Sequence, residues 1–223
     1  MKRLLTFIFL FTFIGLYTQA QEEEQDFKTI FSSDYSSGGY GAPELKLGNV
    51  NNNMSLLMGG RGGWIIGHRF VVGGAGYGLT TSNNFNYTEP LIDESGNMVD
   101  STRNLRLDMG YGGLMLEFIA LPKKAVHLSF PIIIGAGGTS VGAEIAQSTS
   151  QIDPVEFNTY DFVESSAFFV VEPGVFLEMN MTKFFRLDVG ATYRFISGTN
   201  LVRVNNNDLS DLTFSLALKF GSF

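Results

Sequence analysis

From Gly39 onward, apolar and polar residues alternate with a period of two through segment after segment. The final stretch shows it most plainly. Leu212, Phe214, Leu216, Leu218 and Phe220 alternate with Thr213, Ser215, Ala217 and Lys219. Successive side chains of a strand point to opposite faces, so this is a strand with one greasy face and one polar face. Seven earlier segments read the same way: about Gly39–Gly48, Met54–Ile66, Phe70–Thr80, Asn104–Ala120, Val126–Ser140, Ala167–Asn180 and Phe184–Ile196. No strand-free stretch shows a convincing helical period. The pattern predicts an all-β chain of eight strands.

The connections fall into two classes. Gly67-His68-Arg69, Pro122-Lys123-Lys124 and Met181-Thr182-Lys183 are tight. Thr81–Arg103, Ala146–Ser166 and Ser197–Ser210 are long, and on their side only Val50–Asn53 is short. Tight turns at one end and long loops at the other are how outer-membrane barrels are built, with the turns in the periplasm. The expected fold is an eight-stranded antiparallel up-and-down transmembrane β-barrel over residues 39–223. Pro131 and Pro173 fall inside strands, where each lacks a ladder donor, and they predict bulges or gaps in pairing. Ending on an apolar strand suits a closed barrel, whose last strand must pair with its first. Phe220 and Phe223 are both candidates for the terminal aromatic of an assembly signal. Phe220 keeps the phase of the apolar face and Phe223 does not, so a bulge at Gly221-Ser222 or the use of Phe220 is expected.

The N-terminus fits export. Met1-Lys2-Arg3 is basic, Leu4 to Leu16 is an apolar run of thirteen residues, and Thr18-Gln19-Ala20 follows. That reads as a signal peptide over residues 1–20, cut between Ala20 and Gln21. The run is short for a spanning helix, which needs about 20 apolar residues. Residues 21–38 read as a flexible acidic lead-in. With no Cys, lipoprotein acylation, disulfides and thiolate chemistry are excluded.

Net charge is −7, and loss of the leader takes away Lys2 and Arg3 and no acid, giving −9. Such a chain is a poor nucleic-acid binder, because phosphate needs a basic face. Assigning the polar faces to the interior puts Lys46, Arg61, Arg106, Arg186, Arg194 and Lys219 in the lumen with Glu44, Asp108, Glu117, Glu172, Glu178 and Asp188. Six charges of each sign suit a lumen packed with ion pairs, and an eight-stranded barrel is only wide enough for side chains to fill it. A plugged barrel is expected, not a diffusion pore. Trp64, Tyr77, Tyr111 and Tyr193 are assigned to the outer face as interfacial girdles. A soluble barrel, with the same charges forming a solvated exterior, is the structural rival.

Chemistry is sparse. His127 and Ser129 share a face of the fifth strand, but His127 sits three residues past a tight turn, and His68 lies in another. A serine–histidine set at the outer leaflet is therefore not expected, although a lipid-modifying barrel enzyme is the alternative function, with a narrow channel as the third. No phosphate-cradling glycine motif occurs, and no cofactor or metal site is expected. The long loops are acidic: Glu89, Asp93, Glu94 and Asp100 in one, Asp153, Glu156, Asp161 and Glu164 in another. Solvated acidic loops are the default, with lipopolysaccharide or divalent cations as the partners such loops could take.

Three stretches resemble uncharacterised outer-membrane β-barrel proteins of the Bacteroidota type: Gly59–Leu79, Val171–Arg194 and Asp211–Phe223. The resemblance covers most of the chain after the leader. It implies location in the cell outer membrane and insertion by the barrel-assembly machinery, with the final strand as recognition signal. It carries no activity and no functional residues. The expected role is structural or surface-interacting, as a monomer surrounded by outer-membrane lipid.

Overall fold

The computed structural model describes residues 37–92, 96–144 and 160–223. Residues 1–20 and the Ala20–Gln21 cut, nearly all of the lead-in, Asp93, Glu94, Asp153 and Glu156 lie outside them. The strands are β1 (Ser37–Val50), β2 (Asn53–Ile66), β3 (Phe70–Leu79), β4 (Asn83–Ile92), β5 (Met98–Ala120), β6 (Val126–Glu144), β7 (Tyr160–Asn180), β8 (Phe185–Ser197) and β9 (Asp211–Ser222). Among the described residues one short helix, α1 (Asn206–Leu209), precedes β9.

Eight of these strands close a ring. All pairs are antiparallel, running β1–β2–β3–β5–β6–β7–β8–β9 and back to β1. The closing seam runs from Gly39 opposite Ser222 to Gly48 opposite Thr213. Closure leaves no ring edge and satisfies the backbone within the sheet, as a wall in lipid requires.

β4 is the ninth strand and stands outside the ring. It pairs only with the first half of β5, Asn83 opposite Leu107 through Ile92 opposite Met98. The Thr81–Arg103 connection, expected as a loop, is therefore largely a β-hairpin. Its alternation is masked by Asn83, Asn84 and Asn86, which depress strand propensity.

Tight turns close one end of the ring. Gly67, His68 and Leu121 take positive φ there. At the other end Asn51 and Asn52 both take positive φ, the conformation that joins two strands through a two-residue turn. The prolines interrupt pairing as expected. The β6–β7 ladder lapses between Ser129–Phe176 and Ile132–Pro173, and the β7–β8 ladder lapses at Glu172 and Pro173.

Through the middle of the ring the wall is apolar outside and polar inside. Leu45, Met58, Phe70, Leu116, Phe130, Val175, Phe195 and Phe214 are exposed, while Lys46, Glu172, Glu178, Asp188, Arg194 and Lys219 are fully buried. Water-soluble monomers seldom expose contiguous apolar patches beyond a few hundred Å². A belt of this kind around a closed ring is a lipid-facing surface. The soluble-barrel arrangement, with the charges outside, is ruled out by this burial. Among the described residues no helix is long and apolar enough to cross a membrane.

Candidate functional site

The lumen charges form one connected lattice, and strand parity builds it. Even positions of β1, β7 and β8 and odd positions of β2, β5 and β9 face inward. Lys219 of β9 sits at the centre. Its ammonium lies 2.8 Å from Glu117, 2.9 Å from Glu178 and 3.0 Å from Asp188. Asp188 is also reached by Arg61 at 2.8 Å, and Arg61 lies 3.1 Å from Glu44. Glu178 accepts from Arg186 at 2.6 Å on the turn side. On the loop side Lys46 donates to Glu172 at 2.7 Å.

Tyrosines complete this lattice. Tyr40 donates to Glu117, Tyr77 donates to Glu44 at 2.8 Å and Tyr111 donates to Glu172 at 2.7 Å. Thr192 donates to Glu172 as well. Each inward carboxylate thus has a cation or a hydroxyl beside it, the condition under which buried charge is tolerable.

Ten of the twelve charges assigned to the lumen lie there: Glu44, Lys46, Arg61, Glu117, Glu172, Glu178, Arg186, Asp188, Arg194 and Lys219. Arg106 and Asp108 do not. They pair with each other on the outer side of β5, at 3.2 Å, with side chains 31% and 53% exposed. The apolar set Leu105, Leu107 and Met109 points inward instead. The reason is position along the strand. This part of β5 approaches the loop side, where the surroundings are aqueous and the apolar face turns in as in a soluble barrel.

Tyr77 and Tyr111 correct the girdle assignment, since both are buried in the lumen. Tyr111 shares the odd parity of Glu117, so its side was readable. β3 carries no charge to set its phase, and Tyr77 had no such marker. Trp64 and Tyr193 do face outward.

The loop side is capped by the 198–210 connection. Leu209 of α1 and Val204 are buried with Val50, Leu57, Leu107 and Val141. Asn205 caps the helix in a reciprocal pair with Asp208. From below, Arg194 donates to the Leu209 carbonyl at 2.8 Å and to the Asn49 carbonyl at 3.0 Å. From the side, Arg203 meets Glu89 of β4 at 2.7 Å and Glu164 of β7 at 3.4 Å. Hydrogen bonding to Glu89 holds the Arg203 guanidinium above its ordinary value. Two acids from two connections expected to be simply solvated are therefore joined by a cation from the third. Nothing local in the sequence signals that meeting.

The remaining candidates separate. His127 is buried, its Nδ1 3.1 Å from the Lys124 carbonyl and its Nε2 3.4 Å from Glu178. The Ser129 hydroxyl has no hydrogen-bond partner among the described residues, so histidine and serine do not form a nucleophile–base pair. Glu117, Glu178 and Asp188 are close enough to hold a metal ion, but the Lys219 ammonium already stands among them. Phe220 lies on the outer apolar face against Phe185, with ring centroids 5.0 Å apart. Phe223 turns the other way. Its ring stacks on Tyr40 and lies 3.7 Å from the Arg186 guanidinium at the turn-side mouth.

No protein-family model and no curated protein sequence matches the chain. Among solved structures it is similar to Neisserial surface protein A, at 13% identity and TM-score 0.47, covering 83% of this chain and 97% of that one. Similar too is Ail, the attachment invasion locus protein of Yersinia pestis, solved with the heparin analogue sucrose octasulfate. That match has 11% identity and TM-score 0.43, over 83% and 97%. The outer membrane protein OprG of Pseudomonas aeruginosa follows at 9% identity and TM-score 0.40, over 83% and 95%.

Proposed function

We propose that this protein is a small, plugged barrel of the bacterial outer membrane with a structural or surface-interaction role. The observation that carries the reading is the lumen itself. Its waist is filled by the Lys219-centred lattice, and its loop-side mouth is filled by Leu209 and Val204. A solute would have to break several buried ion pairs to pass, each costing about 3–5 kcal/mol. What remains available for contact is the loop side, where β4, β5 and the connection tied by Arg203 stand beyond the lipid belt.

The turn side faces the periplasm in this reading, and the barrel-assembly machinery inserts the chain by its last strand. Lipopolysaccharide and divalent cations are candidate partners of the acids on the loop side. Glu89 and Glu164 are already neutralised by Arg203, so Asp100 and the acids beyond the described residues would serve. A narrow channel and a lipid-modifying enzyme are the rival readings.

Membrane fractionation with heat-modifiability on gels tests the placement, and recovery from the soluble periplasm would overturn it. In planar bilayers the wild-type protein should show no large, stable conductance. A His127→Ala strain should leave the lipid A mass profile unchanged, and a shifted profile would reinstate the enzyme.

A further inference from the structure

The two ends of the barrel use charge differently. Outside the lumen, the described cations at the loop end all stand beside acids. Arg103 is 3.5 Å from Glu89, Arg106 is 3.2 Å from Asp108 and Arg203 is 2.7 Å from Glu89. The turn end carries Arg69, Lys123, Lys124 and Lys183, all exposed. Among the described residues none of these four has an ion-pair partner. The acidic side chains described at that end, Glu117 and Glu178, are buried and committed to Lys219. A chain of net charge −7 therefore presents four unopposed positive charges on one rim.

The rim is contiguous and its backbone is pinned. The Arg69 carbonyl accepts from the Ile119 N–H at 2.7 Å, which ties the first turn to the end of β5. The Lys124 N–H donates to the Leu121 carbonyl at 2.9 Å, and the Lys124 carbonyl accepts from Asn180 Nδ2 at 2.9 Å, which ties the second turn to the end of β7. In the third turn the Thr182 hydroxyl accepts from the N–H groups of Phe184 and Phe185 at 3.3 and 3.0 Å. The three turns follow one another as a single arc from β3 to β8. Bulky apolar side chains stand exposed beside the cations: Phe70 next to Arg69, Leu121 before Lys123, and Phe184 after Lys183. Phe70 packs on Phe118 across the β3–β5 pair, with ring centroids 5.3 Å apart. These side chains end the lipid belt, so the cations leave the wall where acyl chains give way to headgroups. A long cationic side chain at that level lays its stem on apolar surface and keeps its charge among the polar groups.

We propose that this arc binds anionic phospholipid headgroups in the leaflet that surrounds the turns. A phosphatidylglycerol head carries a phosphate and no ammonium, and four cations without acids attract it. A phosphatidylethanolamine head brings its own ammonium and gains little. Each Lys or Arg beside an anionic surface is worth about fivefold in binding. A soluble acidic polymer would meet the same charge but would leave Phe70, Leu121 and Phe184 in water. The inference rests on the membrane placement proposed above.

Native mass spectrometry of the detergent-solubilised full chain tests it, with palmitoyl-oleoyl phosphatidylglycerol and phosphatidylethanolamine as probes. The wild-type protein should retain phosphatidylglycerol at least tenfold better. Replacing Arg69, Lys123, Lys124 and Lys183 together by Gln should bring the two lipids within twofold. Should that variant fail to assemble, Lys123→Gln with Lys124→Gln, confined to one turn, should lower the preference at least threefold. Arg103→Gln with Arg106→Gln removes two cations from the loop end and should leave the preference unchanged. An equal fall in that control would trace the preference to overall charge and overturn the proposal. Equal retention of the two lipids by the wild type overturns it too, as does a preference that survives in the rim variants. A protein found in the membrane fraction without the preference refutes the rim alone. A soluble protein refutes the placement.

Discussion

Replacing Lys219 by Met removes an ammonium and keeps most of the side-chain volume, so the result reports charge and not packing. The ammonium bridges Glu117, Glu178 and Asp188, with all four side chains 0% exposed. Ligand atoms of the three acids lie within 4.8 Å of one another. At an effective dielectric of about 20, two unit charges at that separation repel by roughly 3 kcal/mol. The loss is unequal across the three. Glu178 keeps Arg186 and Asp188 keeps Arg61, whereas Glu117 keeps the Tyr40 hydroxyl and feels Arg61 only beyond ion-pair distance. Removing one partner of a buried pair costs about 3–5 kcal/mol, and Lys219→Met should fall in that range. Lys219→Met with Glu117→Gln restores the charge balance and should recover about 2 kcal/mol of it. The assay is urea unfolding from phospholipid vesicles, followed by fluorescence of the single Trp, Trp64, with heat-modifiability as the check on assembly. A Lys219→Met barrel within about 1 kcal/mol of wild type would refute the reasoning. So would a double variant no more stable than the single one.

Leu209→Ala should cost about 2–5 kcal/mol in the cap while sparing the ring, so proteolysis at residues 198–210 should accelerate with heat-modifiability intact. Arg203→Ala removes a partly exposed bridge worth under about 1 kcal/mol; hydrogen exchange of the same connection should rise, and high salt should mimic the variant in the wild type. Phe223→Ala removes a cation–π contact worth roughly 1–2 kcal/mol without touching the outer face, so assembly rates into vesicles should hold while urea resistance falls slightly. Phe220→Ala should slow assembly instead, and the reverse ranking would make Phe223 the recognised residue.

The eight-stranded ring, its tight-turn end and the inward side of most strands were legible because period-two alternation is a local property. Through the lipid-facing span, as with Arg186, Asp188 and Arg194 on β8, charge on a strand marks the lumen side. The code failed where that marker was missing or where the environment changed. β3 has no charged residue between Phe70 and Leu79, so nothing in its own sequence sets Tyr77 on the lumen side. β5 crosses from lipid to water, and at that border the hydrophobic side of the strand reverses, so Arg106 and Asp108 face outward although their charge suggests the lumen. β4 escaped notice because its pairing with β5 depends on backbone bonds that asparagines do not advertise.

What the sequence determined alone is therefore the wall: strand number in the ring, its antiparallel order and an interior rich in balanced charge. Only the tertiary structure decided which charges meet. Lys219 reaches Glu117 across 102 residues of chain, and Arg203 joins acids from two separate connections. Alternation records which side of a strand a residue faces. Ring closure and the fold of the cap decide what stands opposite, because those distances are set across the barrel and not along the chain.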